Sequence, residues 1–261
     1  MDLVASRLEY VLPPSPSKVV DADSVSARVL KNNETEFREY FKLRQKIYTV
    51  MGYLDESAEE CCSQLEINES DTHAIHVGAF YRSGAQKIMV GTARVVTNSE
   101  GDEALGKMFE AMLRRDIVLK RRLLTPYRLG LPIFQSHYGM NEIMGEALRG
   151  NQLCGELSRV TVAKEFRGSG ISRQLVETAL QSVIMKGARR LFLECLEIHE
   201  SMYAQHGFVR IKGVRGSVVD VGRTMIAMQL APHAVEQIRA RSVLARGPAR
   251  IAMPEQTMIS V

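Results

Sequence analysis

The sequence predicts a mixed α/β fold, and three stretches carry that prediction. Two β-rich runs, Ala74–Tyr81 and Lys87–Val96, flank RSGAQ, whose glycine suits a hairpin turn. Further along, Leu157–Val162 reads as a buried strand, and a glycine turn follows it. SRQLVETALQSVIMKG then places Leu175, Val176, Ala179, Leu180, Val183 and Ile184 at helical spacing. After that helix, ARRLFLECL (Ala188–Leu196) is another buried strand. Strands that alternate with helices after a hairpin build a mixed sheet.

The remaining elements follow in chain order. Residues 1–24, with Pro13, Pro14 and Pro16 among serines, read as a mobile leader. Ser26–Leu30 is a candidate first strand. Asn33 or Thr35 caps a helix through FREYFKLRQKIYTVMGY, whose apolar stripe is Phe37, Phe41 and Ile47–Met51. The acidic stretch from Asp55 to Asp71 reads, on composition, as a solvated helix and loop. Residues 98–150 interrupt the sheet pattern. Ala104–Leu124 is expected as one basic amphipathic helix bearing Arg114, Arg115, Lys120, Arg121 and Arg122, and Pro126–Gly150 as a loop with one short helix at Asn141–Leu148. HESMYAQHGFVRI turns from a short helix into a strand, with Gly207 at the helix end. Val218–Val221 and Arg223–Leu230 form the last strand or pair of strands, Pro232 ends the sheet, and HAVEQIRARSVLA is a short helix. The expected organisation is a leader (1–24), one domain (25–230, insertion 98–150) and a C-terminal helix and tail (231–261).

Composition bounds the function. The 261 residues are 45% hydrophobic and 25% charged, as in ordinary globular chains. A net charge of +4 and a pI near 8.9 are too mild to argue for nucleic acid, and no recognition-helix motif accompanies the basic residues. Cys61, Cys62, Cys154 and Cys195 lack metal-ligand spacing, so reduced thiols, no metal and a cytoplasmic protein are expected. No apolar run reaches about 18 residues, the length of a membrane span. The first residues lack the basic and apolar regions of a secretory signal.

The chemistry starts at Arg167, Gly168, Ser169, Gly170, Ile171 and Ser172, between the central strand and its helix. The unpaired amides of a first helical turn point outward, and small residues let a phosphate approach them. Ser169 and Ser172 add hydroxyls and Arg167 adds charge. A tight strand-to-helix turn without a ligand is the alternative. No Gly-Lys-Ser/Thr follows, and two glycines are too few for the dinucleotide fingerprint.

This loop resembles the acyl-CoA loop of the GNAT acyltransferase superfamily, Q/R-x-x-G-x-G/A, with Ser172 where the family has its last glycine or alanine. Tyr203-Ala-Gln-His-Gly207-Phe208 resembles the family's Y-x-x-x-G-F, whose tyrosine acts as general acid to a leaving thiolate. The alternative is that Tyr203 packs against the sheet or only contacts the cofactor chain. The N-terminal half resembles the autoinducer-synthase-like branch, comprising acyl-homoserine-lactone synthases and N-acyl amino acid synthases. There R-x-x-x-[FY] and a following aromatic match Arg44, Tyr48 and Tyr53, although tryptophan is common at the last position and this chain has none. Two acidic positions follow, with Glu69 and Asp71 as candidates and Glu66 as an alternate. The G-x-x-R strand matches Gly91–Arg94, and E-[LT]-[ST]-R matches Glu156-Leu157-Ser158-Arg159. HVGAF and the intact loop look closer to the N-acyl amino acid synthases. His76, within HVGAF, reads as a core or sheet-edge residue.

The resemblance spans roughly residues 26–230 and implies a GNAT-like mixed, mostly antiparallel central sheet flanked by helices, with a helical insertion. It also implies an acyl thioester donor, either acyl-acyl-carrier protein or acyl-CoA, and no metal. The expected reaction moves an acyl group, long-chain and carrier-borne, to the amine of an amino acid or related small molecule. The amine must lose a proton, for which Glu156 is the first candidate base and Asp71 the second; a structural ion pair with Arg159 or Arg94 is the alternative for Glu156. Arg94 or Arg44 is expected to clamp the acceptor's carboxylate, with Tyr48, Tyr53, Ser158 and Arg159 nearby. The strand backbone from Val160 to Val162 is expected to bind the thioester oxygen and the pantetheine amides. Carrier proteins are acidic, so Arg114, Arg115, Arg121 and Arg122 offer a docking face; a soluble basic helix is the alternative. Two rivals remain: an acetyl-CoA-dependent small-molecule N-acetyltransferase, and a non-catalytic acyl-thioester-binding regulatory protein.

Overall fold

A computed structural model describes residues 24–54, 64–114, 116–124, 131–216, 218–219 and 223–246. The expected leader up to residue 23, Cys61, Cys62, Arg115 and the tail beyond 246 lie outside the described residues.

β1 (Val25–Val29) leads into α1 (Glu34–Val50). Of the two candidate caps Asn33 serves: its side-chain oxygen accepts the Glu36 amide at 3.1 Å. Phe37, Tyr40, Phe41 and Arg44 are the helix's buried face, spaced i, i+3, i+4, i+7. β2 (Ala74–Ser83) and β3 (Gln86–Thr97) form the expected hairpin, with Gly84 at φ 60° in the turn.

The insertion departs from expectation. In place of one helix over 104–124 there are two, α2 (Glu103–Met112) and α3 (Ile117–Leu123). Asp102 and Asp116 cap them, accepting the Leu105 and Leu119 amides at 2.9 and 3.0 Å. Asp116, read from periodicity as part of a continuous helix, restarts one because its short side chain captures a backbone donor. α4 (Ile133–Ser136), β4 (His137–Tyr138) and α5 (Asn141–Arg149) follow, so 126–150 holds more regular structure than expected.

β5 (Cys154–Val162), α6 (Ile171–Met185) and β6 (Arg190–Leu196) come next. Ile171, Leu175, Val176, Ala179, Leu180, Val183 and Ile184 are the buried face of α6, each large side chain contributing about 1.5–3 kcal/mol relative to exposure. α7 (Glu200–Ala204), β7 (Phe208–Arg210), β8 (Arg215–Gly216), β9 (Val218–Val219), β10 (Arg223–Leu230) and α8 (Pro232–Arg246) complete the chain. The last strands are a pair, β9 against β10, and Pro232 opens α8 at a first-turn position that needs no N–H donor.

The sheet order is β1-β2-β3-β5-β6-β10-β7, and β4 pairs with β8 separately. Among the described residues every pairing is antiparallel except β5 with β6. The fold is therefore the mixed, mostly antiparallel sheet flanked by helices that the sequence implied. One core packs α6 and α8 against the sheet, a second packs α1, α2 and α3, and a third seats the insertion on Val96, Phe192 and Ala227.

Two irregularities prepare the site. β5 and β6 pair only from Cys154–Leu157 against Arg190–Leu193, after which β5 runs on along β3 while β6 stays with β10. The two strands thus part in a V. Against β3, Arg94 faces Ser158 but Thr92 faces Thr161, so β5 carries one extra residue. Arg159 stands in this bulge at φ 56°, a left-handed conformation uncommon for a side-chain-bearing residue.

Candidate active site

A cavity of about 500 Å³ fills the V. Glu156 and the run Ser158–Val162 form one wall, and Glu194, Cys195 and Leu196 the other. Arg167, Gly168, Ile171 and Ser172 close the end at α6, while Ile47, Tyr48, Met51, Tyr53 and Leu54 reach in from the end of α1. Met202 and Tyr203 arrive from α7.

Glu156 is buried, and its Oε2 accepts the Ile133 amide at 2.7 Å. Burial pushes its carboxyl up to about 7; the Ile133 amide, Arg94 and Arg159 pull down, and Glu194 pushes further up. A carboxylate of that pKa exchanges protons readily near neutrality.

Behind this wall lies a buried ion cluster. Arg44, fully buried, bonds through Nη1 to Asp71 Oδ1 at 2.9 Å and pairs with Glu66. Its guanidinium stacks on Tyr40 and Phe41, 5.4 and 5.2 Å from the ring centres. Arg94 Nη1 donates to the same Asp71 oxygen at 3.0 Å and to Asn68 Oδ1 at 2.9 Å, and its Nε to Ser158 Oγ at 3.2 Å. Asp71 Oδ2 accepts the Asn68 amide. Arg44 and Arg94 hold the Asp71 carboxyl well below the usual range against the opposing effect of burial.

This cluster corrects several expectations. Asp71 does not line the cavity, and a carboxylate held by two arginines is a poor base. Arg44 and Arg94 do not line it either; both are committed to buried carboxylates and are not placed to clamp an acceptor. The acids of the cluster are Glu66 and Asp71, while Glu69 stands outside it on the 3-10 turn Glu69–His73. The solvated reading of this stretch therefore fails for Glu66 and Asp71, both buried. His76 is a core residue: its Nε2 donates to the Asp71 carbonyl at 2.9 Å, its ring meets Phe37, Tyr40 and Phe109 edge-on, and burial lowers it to about 4, so it is neutral.

Arg159 is the cluster's arginine that faces the cavity. Its Nε bonds Glu66 Oε1 at 3.0 Å, its guanidinium sits 5.2 Å over the Tyr48 ring, and 32% of its side chain is exposed. Tyr48 meets Tyr53 edge-on at 5.6 Å. The structure thus brings Tyr48, Tyr53, Ser158, Arg159 and Glu156 to one cavity.

At the glycine turn Gly168 and Gly170 adopt φ 82° and 79°, and Gly170 stands at the α6 N-cap with no side chain bonded to the first-turn amides. Arg167, Gly168, Ile171 and Ser172 line the cavity; Ser169 does not, its hydroxyl donating to the Phe166 carbonyl at 2.5 Å. Arg167 Nε donates to the Val162 carbonyl at 3.2 Å, tying the turn to β5. Tyr203, buried against Phe208, has its phenol raised by burial and stays protonated through the working range. Gly207 follows at φ 92°, where a Cβ would stand 2.7 Å from Ala234 Cβ of α8.

Residues 133–231 match the acetyltransferase (GNAT) domain family. Residues 133–231 are a GNAT domain. No curated protein matches the chain by sequence. Its fold is shared with FeeM, an N-acyl amino acid synthase from uncultured soil microbes, at 16% identity and a TM-score of 0.52 over 85% of this chain and 97% of that one. BjaI, a CoA-dependent acyl-homoserine lactone synthase, superposes at a TM-score of 0.49 with 12% identity, over 84% of this chain and 90% of its own.

Sequence reasoning missed three contributors. Glu194 and Cys195 line the cavity from β6, and the Ile133 amide holds Glu156 from within the insertion. An acid within the apolar run of ARRLFLECL was the available signal for Glu194. A backbone donor leaves no signal in side-chain patterns.

Proposed function

We propose that this GNAT protein is an N-acyltransferase that moves an acyl group from a thioester to the amine of an amino acid. The observation that carries the reading is that Glu156 and Arg159, from one bulged strand, line the same cavity beside the glycine turn. Among Arg44, Arg94, Arg159, Glu66 and Asp71, three arginines face two carboxylates. The surplus positive charge reaches the cavity at Arg159 and suits the acceptor's carboxylate.

In this mechanism Glu156 takes a proton from the acceptor's ammonium, directly or through water. The freed amine attacks the thioester carbon, the C–N bond forms, the attacking nitrogen sheds its second proton to solvent, and the C–S bond breaks. The backbone from Val160 to Val162, at the bulge, is the proposed donor set for the developing oxyanion and partner for the pantetheine amides. Tyr203 delivers its proton to the leaving thiolate and is reprotonated from solvent. The first-turn amides of α6, with Arg167 and Ser172, hold the donor's phosphate.

The donor is an acyl thioester, with a long chain on an acyl carrier protein as the favoured form. Ile47, Met51, Leu54, Met202 and Met225 give the cavity apolar walls for such a chain. The acidic carrier docks at Arg114, Arg121 and Arg122, which are exposed, with Arg115 outside the described residues. A second reading, an acetyl-CoA-dependent N-acetyltransferase, is favoured by the two-glycine turn, which suits a pyrophosphate. Among the described residues no helix is long and apolar enough to cross a membrane, and Cys154 and Cys195 are free thiols; we place the protein in the cytoplasm.

The test is mass spectrometry of organic extracts from cells expressing the chain or its Glu156→Gln variant. Long-chain N-acyl amino acids present only with the wild type are the expected result. Extracts lacking them, with thiol release from acetyl-CoA and a soluble amine, would transfer the assignment to the second reading.

A further inference from the structure

A hydroxyl with no part in the proposed chemistry holds the bulge of β5 from across the sheet. Thr92 is fully buried in β3, beside the buried Val90, Ala93 and Val95. A valine has the same shape and would fill that place without burying a hydroxyl, which costs free energy unless it is bonded. The Thr92 hydroxyl has two partners, and both belong to the bulged stretch. Its Oγ1 donates to the Arg159 carbonyl at 3.2 Å and lies 2.7 Å from Thr161 Oγ1. A hydroxyl has one proton to give. Since that of Thr92 goes to the carbonyl, the Thr161 hydroxyl is the donor in the second contact.

Arg159 needs such a hold. Its left-handed φ of 56° is a costly backbone for a residue with a side chain and persists only where the surroundings enforce it. The side chain is tied to Glu66 and the carbonyl to Thr92, so the residue is fixed at both ends. Opposite the bulge, the Ala93 carbonyl accepts the phenol of the buried Tyr40 at 2.8 Å. Two hydroxyls thus occupy two carbonyls where the β3–β5 ladder slips. A carbonyl and the amide that follows it share one planar trans peptide and point opposite ways. Holding the Arg159 carbonyl on the β3 side therefore aims the Val160 amide to the other side of β5. On that side β6 has parted from β5, and Val160 lines the cavity.

We propose that Thr92 is a positioning residue of the acyl transfer: by holding the Arg159 carbonyl, its hydroxyl turns the Val160 amide into the V, toward the oxygen of a bound thioester. The inference rests on the acyltransferase reading and deepens it by naming the side chain that orients the oxyanion donors. Thr92 does not line the cavity, so it acts through the β5 backbone and not on the substrate.

The test uses the purified full-length chain. Thr92→Val removes the hydroxyl at constant shape, and Thr92→Ser retains it. Thr92→Cys, a weak donor, takes the place of the valine variant if that variant does not fold. Thiol release is followed from decanoyl-CoA and, separately, decanoyl-acyl carrier protein, with a mixture of the common amino acids as acceptor. Amide NMR of protein carrying isotopically labelled valine reports on Val160 without any need for turnover. We expect Thr92→Val, or Thr92→Cys in its place, to lower kcat at least tenfold while KM for the donor changes less than threefold. Thr92→Ser should keep kcat within threefold of the wild type. The Val160 signal should move in Thr92→Val and hold its place in Thr92→Ser, whereas the Val183 signal from α6 stays fixed in both. A kcat that survives loss of the hydroxyl, whatever the change in unfolding midpoint, would mark Thr92 as structural and overturn the inference. So would a Val160 signal that does not move, or a loss of kcat that Thr92→Ser shares. Each of these leaves the acyltransferase reading intact. A wild type that releases no thiol from either donor would defeat that reading, and this inference with it.

Discussion

Arg159 Nε and Glu66 Oε1 meet at 3.0 Å, joining residues 93 positions apart in the chain. The contact ties the bulged central strand to the segment after α1, because Glu66 also pairs with the buried Arg44. A side chain of the cavity wall is thereby fixed from behind, with 32% of it left exposed.

Arg159→Gln should therefore act on binding more than on the chemical step. The variant loses the cavity's free end of the cluster and its stacking on Tyr48. A rise of about tenfold or more in KM for the amino acid is expected, in line with the ~1.5–3 kcal/mol of a charged hydrogen bond. Steady-state kinetics check it; a fall in kcat at constant KM would reassign the residue.

Arg44→Met should act on stability. Arg44 is fully buried between Asp71 and Glu66, and its loss leaves two interior carboxylates with weaker compensation. About 3–5 kcal/mol is the expected cost, read from the midpoint of urea unfolding. Protonation of Glu66 or Asp71 relieves part of that repulsion, so the variant should recover stability on mild acidification.

Glu156 sets the pH dependence. Its carboxyl is raised from 4.5 to about 7 in the folded protein, and the base must be ionised to work. kcat/KM should decline below about pH 7 with unit slope. The sign for stability is opposite to that of an ion-paired acid: the folded state holds the proton more tightly, so this group's contribution is greatest at low pH and is lost as pH rises from 4.5 through about 7. Ile133→Pro removes the amide that favours the ionised form, so the acidic limb should move to higher pH. A limb that stays in place would mean that another group is the base.

Tyr203→Phe should lower kcat without moving either limb of the profile below pH 9, because burial keeps the phenol protonated there. A loss near the lower end of the ~10²–10⁴-fold range of general acids is expected, since a thiolate needs little help to leave. Presteady-state thiol release is the direct readout.

Much of the fold was legible because it is written in local patterns. The β2–β3 hairpin and the β5–turn–α6 unit follow from alternation, glycine placement and helical spacing, while the sheet's arrangement came through the family resemblance. The break between α2 and α3 was not, because Asp116 caps through one side-chain bond that periodicity ignores. At the site, Glu156, expected as a base, and Tyr48 and Arg159, expected to bind substrate, line the cavity. Arg44, Arg94 and Asp71 were given substrate-facing roles they do not hold. Sequence carries residue type, and the three are of types that bind ligands; only packing shows that they bind one another. The bulge at Arg159 was equally hidden, since a register slip between β3 and β5 depends on both strands at once.

The V between β5 and β6 has a consequence for amide hydrogen exchange. A sheet that parts in its middle leaves backbone groups on two facing edges without the ladder that protects their neighbours. Amides near the cavity in Ser158–Val162 should exchange with deuterium faster than those in Cys154–Leu157, though both belong to one strand. An occupant that bridges the two arms would close that gap in protection, so the molecule carries its own occupancy gauge along the length of β5.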